Sequence, residues 1–181
     1  MLPMGSAGAA HWQQGGALSK KSDDKTLKEP ESLLTSKTVA EGFTIEEVLT
    51  EGALAEFKHV LISGYEMPPQ MADGWVQAAH AFGIGRTPWK MYLGRLDGEP
   101  VATNMVLNGG GVAGVYGVAV TPGARGKGIG GAITLAPLLE SRAAGYRYAV
   151  LFSSDMGIRA YERIGFHDCG VRINRYLWRN T

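Results

Sequence analysis

The residues best equipped for chemistry lie in one run, Val118-Ala119-Val120-Thr121-Pro122-Gly123-Ala124-Arg125-Gly126-Lys127-Gly128-Ile129-Gly130-Gly131. A β-branched strand empties into a basic, glycine-rich turn that opens a helix. Helix N-termini present unpaired N–H groups and partial positive charge, and glycines let the backbone come close enough for those groups to point at phosphate oxygens. Such a turn suits a pyrophosphate, and Arg125 and Lys127 add full positive charges beside it.

Three kinds of loop share this composition, and spacing separates them. A P-loop needs Gly-Lys followed by Ser or Thr to reach magnesium, whereas Gly126-Lys127 is followed by Gly128. Gly126, Gly128 and Gly131 satisfy the dinucleotide pattern G-x-G-x-x-G, but that pattern asks for an acid about 20 residues on. At that distance the chain reads Tyr146-Arg147-Tyr148-Ala149-Val150-Leu151-Phe152, with no acid. The third option fits in full. Arg125-Gly126-Lys127-Gly128-Ile129-Gly130, after a Val-x-Val strand and a Pro turn, resembles the acyl-CoA loop of the GNAT acetyltransferase superfamily. A second segment, Ser153-Ser154-Asp155-Met156-Gly157-Ile158-Arg159-Ala160-Tyr161-Glu162-Arg163-Ile164-Gly165-Phe166, is similar to the GNAT element in which a short helix ends in Tyr-x-x-x-Gly-Phe. One helix and one strand fit between the two, as that fold requires. The resemblance runs from about Gly42 to Trp178, strongest after Val112.

The resemblance implies a mixed α/β fold: a central, mostly antiparallel sheet with one parallel, splayed pair of strands, flanked by helices. It implies acetyl-CoA as acyl donor, with no metal. By resemblance, the main chain of Val118 and Val120 holds the pantetheine arm, and Arg125, Gly126, Lys127, Gly128, Ile129, Gly130 and Gly131 hold the pyrophosphate. Tyr161 stands at the family's tyrosine position, where a phenol can protonate the departing thiolate. Ser154 and Gly157 replace the Asn and Ala common in that helix; Ser154 can still cap the helix and offer the cofactor one hydrogen bond. The expected activity is direct transfer of an acetyl group to a primary amine, with a small-molecule acceptor. A non-catalytic acyl-CoA sensor is the competing reading, and nucleotide binding through the same loop a third.

Acyl transfer to an amine also needs a base, since an exposed amine is mostly protonated at neutral pH. Tyr116, Glu99 and His80 are candidates, and none declares itself. Cys169 lacks the His/Asn context of a nucleophile, and no metal-ligand spacing appears.

The elements that must position these groups follow from periodicity and turn chemistry. Phe43 to Leu49 reads as a strand. Gly52 to Ser63 and Met71 to Phe82 carry apolar residues at helical spacing, broken apart by Pro68-Pro69. Trp89–Leu96 and Pro100–Leu107 read as strands joined at the hairpin dipeptide Asp97-Gly98, and Gly109-Gly110-Gly111 leads into a strand over Val112–Val120. The helix after the glycine loop is expected to run to Ala144 and to kink at Pro137. Tyr148–Phe152 is a near-continuous apolar run, predicting a strand buried on both faces. A short helix to Ile164 and closing strands over Phe166–Trp178 complete the chain.

With 181 residues, 45% hydrophobic and 19% charged, the sequence is that of one globular domain. A net charge of +1 gives no reason to expect a nucleic-acid or membrane surface. One cysteine excludes an intrachain disulfide and suits a reducing compartment, so a cytoplasmic location is expected. No apolar stretch approaches the roughly 18 residues of a membrane span. Residues 1–40, rich in small residues and then in mixed charge, are expected to be a disordered tail before a domain over 41–181. The oligomeric state is open, a homodimer included.

Overall fold

The computed structural model describes residues 16–21, 39–86 and 88–172. The strands are β1 (Gly16–Lys21), β2 (Phe43–Glu47), β3 (Trp89–Leu96), β4 (Glu99–Gly109), β5 (Val112–Val120), β6 (Tyr148–Phe152) and β7 (His167–Arg172). Helices α1 (Glu51–Tyr65) and α2 (Pro69–Phe82) join β2 to β3, α3 (Ile129–Ala143) joins β5 to β6, and α4 (Asp155–Arg163) joins β6 to β7. The sheet order is β2-β3-β4-β5-β6-β1-β7. Only β5 and β6 pair in parallel; every other neighbouring pair is antiparallel.

Local chemistry accounts for the element ends. The Thr50 hydroxyl accepts a hydrogen bond from the Ala53 amide at 3.2 Å, capping α1. Pro69 opens α2, where its missing N–H costs nothing. Asp97 and Gly98 both take positive φ, 52° and 87°, as a two-residue hairpin turn between β3 and β4 demands.

Two cores sandwich the sheet. On one face Leu54, Phe57, Val60 and Leu61 of α1 pack with Leu93, Met105 and Ala119 of the strands. On the other Ile129, Ile133 and Leu138 of α3 pack with Tyr92, Val106, Val115 and Leu151, and Phe166 joins them. Both α1 and α3 lie over β3, β4 and β5. That placement corrects the expectation for β6. Ala149 and Leu151 are buried toward α3, but Tyr148, Val150 and Phe152 on the opposite face are exposed. Among the described residues no helix covers that half of the sheet, so the apolar run is buried on one face only.

The expected tail over 1–40 also needs correcting. Gly16–Lys21 forms β1, antiparallel both to β6 and to β7. The far edge of β6 carries unpaired N–H and C=O groups that a further strand satisfies, so the sheet draws six residues from the segment before residue 41. At the other end, the expected closing strands begin as β7, and residues 173–178 lie outside the described residues.

Pro137 sits inside α3, which continues to Ala143. A proline there leaves the carbonyl four residues earlier without its helical donor. That carbonyl belongs to Ile133, and the side-chain amide of buried Asn104 on β4 donates to it at 2.7 Å. The strand thus supplies the bond that the helix lacks. Replacing Asn104 by Leu should cost about 1–3 kcal/mol, the penalty of an orphaned buried carbonyl, as read by urea unfolding. In a Pro137→Ala background residue 137 regains an N–H, and the same substitution should cost much less. Equal costs in both backgrounds would show that the two residues are not coupled.

Candidate active site

The site begins where β5 parts from β6. Their pairing runs from Val112↔Tyr148 to Val115↔Leu151, yet β5 continues to Val120. Beyond Val115 the edge of β5 that faced β6 has lost its strand partner. Main-chain groups along Tyr116–Val120 are therefore available on that edge, while the other edge stays tied to β4 through Thr103↔Ala119 and Ala102↔Val120.

A bulge lies in the same stretch. Met105 pairs with Tyr116 and Thr103 with Ala119, so two residues of β5, Gly117 and Val118, stand opposite Asn104 alone. Gly117 takes φ +56°, and a Cβ there would collide with the Met105 methyl. The buried Thr103 hydroxyl donates to the Gly117 carbonyl at 2.8 Å, which fixes the orientation of the bulge. Val118 and Val120 turn their side chains into the α3 core and leave their main chain to line the gap. Nothing in the local sequence marks Thr103 for this role, because its partner lies 14 residues on.

After β5 a single 3-10 turn, Pro122–Ala124, leads to Arg125. Gly126 and Gly128 take φ +78° and +76°, with Gly128 at the N-cap of α3. No side chain caps that helix and no acid occupies its first turn. Its leading amides, over Ile129–Gly131, thus form the kind of anion site that a helix start provides. Lys127 is exposed, and its carbonyl accepts from the Ala40 amide at 3.1 Å.

Arg125 is oriented differently from a free phosphate ligand. Its Nε donates to the Val120 carbonyl at 3.2 Å, its Nη2 to the Gly64 carbonyl at 2.8 Å, and Glu66 lies 3.6 Å away. The guanidinium ties the loop to the end of β5 and to the last turn of α1. Its charge still stands next to the loop, while these donors are spent on the scaffold. Gly64 itself packs directly on β5: a Cβ there would meet the Ala119 methyl at 2.8 Å and the Val120 amide nitrogen at 3.1 Å.

Tyr161, on α4, packs partly buried against the α3 core and meets Phe166 edge-on at 6.1 Å. Burial pushes its phenol well above the ordinary tyrosine value, and the Tyr65 phenol at the end of α1 adds to the shift. Tyr65 is likewise raised by burial, to about 12. Tyr65, at the end of α1, thus neighbours Tyr161 on α4, a proximity that local pattern does not reveal. The glycine at 157 has a steric reason, since a Cβ would meet Tyr161 Cε2 and Ser153 Oγ, each at 2.8 Å. Ser154 stands at the N-cap of α4, but its side chain makes no capping bond. The capping there is by backbone, with the Gly157 amide donating to the Ser154 carbonyl at 2.9 Å.

The three base candidates do not converge. His80 pairs with Glu51 at 3.1 Å across the surfaces of α2 and α1. Glu99 is exposed beside the β3–β4 hairpin, and the Tyr116 ring stacks on Trp89. Cys169 is exposed on β7. Among the described residues no group of three His, Cys, Asp or Glu is placed to hold a metal. No helix among them is long and apolar enough to cross a membrane.

The contact of Gly64 with β5 gives a direct test. Gly64→Ala should destabilise the fold by about 1–3 kcal/mol, because the obstacle is backbone and cannot swing aside. Gly74→Ala in α2, where a new Cβ meets nothing within 4 Å, should be neutral or stabilise by up to about 1 kcal/mol. Urea midpoints that shift equally in the two variants would contradict this packing.

Comparison with known proteins agrees with the geometry. The sequence matches the Acetyltransferase (GNAT) family over residues 55–166, more than half of the chain. A comparison with curated proteins finds no match. Among solved structures, a GCN5-related N-acetyltransferase from Kribbella flavida superposes with a TM-score of 0.61 at 21% identity, covering 87% of this chain and 55% of that one. One from Sphaerobacter thermophilus gives 0.66 at 20% identity, covering 86% and 48%. Glucosamine-6-phosphate N-acetyltransferase from Arabidopsis thaliana gives 0.58 at 16% identity, covering 75% and 99%. The chain spans about half the length of the first two, and identities this low establish a shared fold. Together with the family match over 55–166, the fold and the two motifs it carries make one conclusion plain: the chain belongs to the GNAT acetyltransferase family.

Proposed function

We propose that the protein transfers the acetyl group of acetyl-CoA to a primary amine of a small molecule, directly and within one ternary complex. The observation that carries this reading is the opening between β5 and β6, which frees the β5 edge over Tyr116–Val120 just before the uncapped start of α3. Acetyl-CoA is the donor substrate. The amides at the start of α3 suit its diphosphate, the freed edge of β5 suits its pantetheine amides, and the exposed Ser154 hydroxyl, with no capping duty, is open to a further hydrogen bond.

In the transfer, the amine nitrogen attacks the thioester carbonyl carbon. A C–N bond forms, the C–S bond breaks, the nitrogen loses one proton, and the thiolate gains one. A main-chain N–H at Val118 or Val120 suits the oxyanion that forms between these events; losing such a donor in other enzymes costs about 3–4 kcal/mol. Tyr161 supplies the thiolate's proton and regains one from water. The phenol keeps its proton across the physiological range, so the acid form is the one present. Water takes the amine's proton, since His80 is paired with Glu51 and Glu99 lies beside the β3–β4 hairpin. A cytoplasmic location belongs to the same proposal.

Release of free thiol from acetyl-CoA across a panel of primary amines tests the activity. Tyr161→Phe should lower kcat by about 100-fold or more, with the affinity for acetyl-CoA nearly unchanged. For the wild type, kcat/KM should rise with pH as the acceptor amine loses its proton. Because the Tyr161 phenol titrates above its ordinary 10.0, no falling limb from its ionisation should appear below about pH 10. Acetyl-CoA binding without amine-dependent thiol release from any acceptor would favour the sensor reading instead.

A further inference from the structure

Four aromatic rings gather on the α1–α2 face of the sheet, next to the opening in β5. Trp89 lies at their centre, with Phe82 at 5.6 Å, Trp75 at 6.2 Å and Tyr116 at 6.5 Å between ring centroids. The three neighbours lie within 17–24° of parallel to it. Trp89 is 7% exposed, but Phe82 and Tyr116 on either side of it are 51% and 37% exposed. An aromatic cluster built only as core would bury its largest flat surfaces, whereas this one leaves the outer pair open to solvent.

Position connects the stack to the chemistry. Tyr116 immediately precedes Gly117 and lies one residue past the last pair that holds β5 to β6. Its ring lies over Gly114, where a Cβ would meet ring carbon and hydroxyl at 2.8 and 2.9 Å. Gly114 pairs with Val150 on β6, whose side chain is exposed. The exposed surface thus continues from the rings onto the uncovered half of the sheet. One polar atom marks the same place: Trp89 Nε1, a buried donor at the centre of the stack, has no hydrogen-bond partner among the described residues. Unpartnered buried polar groups are uncommon in folded proteins, and a missing water or ligand is a usual reason.

We infer that the ring stack of Phe82, Trp89 and Tyr116 binds the acceptor, and that the acceptor is an arylalkylamine: a flat aromatic ring carried a few carbons from its primary amine. The inference rests on the acetyltransferase reading above and specifies its substrate class. Near-parallel rings whose outer members are partly exposed favour another ring in offset stacking over an aliphatic chain or a sugar. Tyr116 and Val118 flank Gly117 in the bulge, so a ring seated on Tyr116 carries its amine on a short arm to the main chain of Val118.

The test pairs a kinetic with an equilibrium readout, using phenethylamine and tryptamine against n-butylamine and glucosamine. The aromatic amines should show kcat/KM at least tenfold above the other two, and Phe82→Ala should bring that ratio down toward one. Phenethylamine should also shift Trp side-chain resonances saturably in the wild type and only weakly in Phe82→Ala, with or without acetyl-CoA. Equal kcat/KM for aromatic and aliphatic amines, or no saturable shift with phenethylamine, would overturn the assignment while leaving the acetyltransferase reading intact. A saturable shift lost in Phe82→Ala, without transfer to any amine, would support the aromatic site and count against transfer.

Discussion

The structure depends on a break in its own sheet. Beyond Val115, β5 gives up its pairing with β6, and a strand edge left open in this way is unfavourable unless something holds it in place. Four contacts do so, each on the backbone. Thr103 fixes the bulge carbonyl at Gly117, and Asn104, opposite the bulge, reaches across to α3. Gly64 lets α1 settle on Ala119 and Val120, and Arg125 joins the carbonyls of Val120 and Gly64. The open edge is thus braced from within the protein. Preorganised amides of this kind stabilise a developing charge without having to rearrange for it.

The proposed chemistry draws on what lies along the gap. One end meets the uncapped start of α3, with positive-φ glycines before it, the middle presents the main chain of the bulge, and the proposed acid is Tyr161 on α4. Burial keeps that phenol protonated, with Tyr65 reinforcing the effect from the other face of the sheet. Arg125 serves the scaffold, its donors on protein carbonyls, while its charge stands beside the loop.

Much of this was legible because it is local. The Asp97-Gly98 turn, the Pro68-Pro69 break and the glycines before α3 each impose a backbone geometry within a few residues, and the element order follows from them. The glycine loop and the Tyr-x-x-x-Gly-Phe helix pointed to the family for the same reason. What stayed hidden depends on distant partners. Nothing near Thr103 indicates Gly117, 14 residues on, and Arg125 is paired with a carbonyl 61 residues earlier. The expectation for Pro137 could not include the strand amide that supplies the missing bond, since Asn104 lies 29 residues from Ile133. The face of β6 was misread because an apolar run does not say which neighbours cover it. The segment Gly16–Lys21 was misread because its composition carries no strand signal; it pairs where β6 and β7 leave room for a strand.

The central claim is that main-chain amides along the open edge of β5 and at the start of α3 hold coenzyme A. Hydrogen–deuterium exchange with and without saturating acetyl-CoA tests it at the residues concerned. The account predicts slowed exchange in peptides covering 116–120 and 126–131, with little change in β2 and β3. Binding detected by calorimetry with no protection in those two segments, or protection confined to another part of the chain, would contradict it.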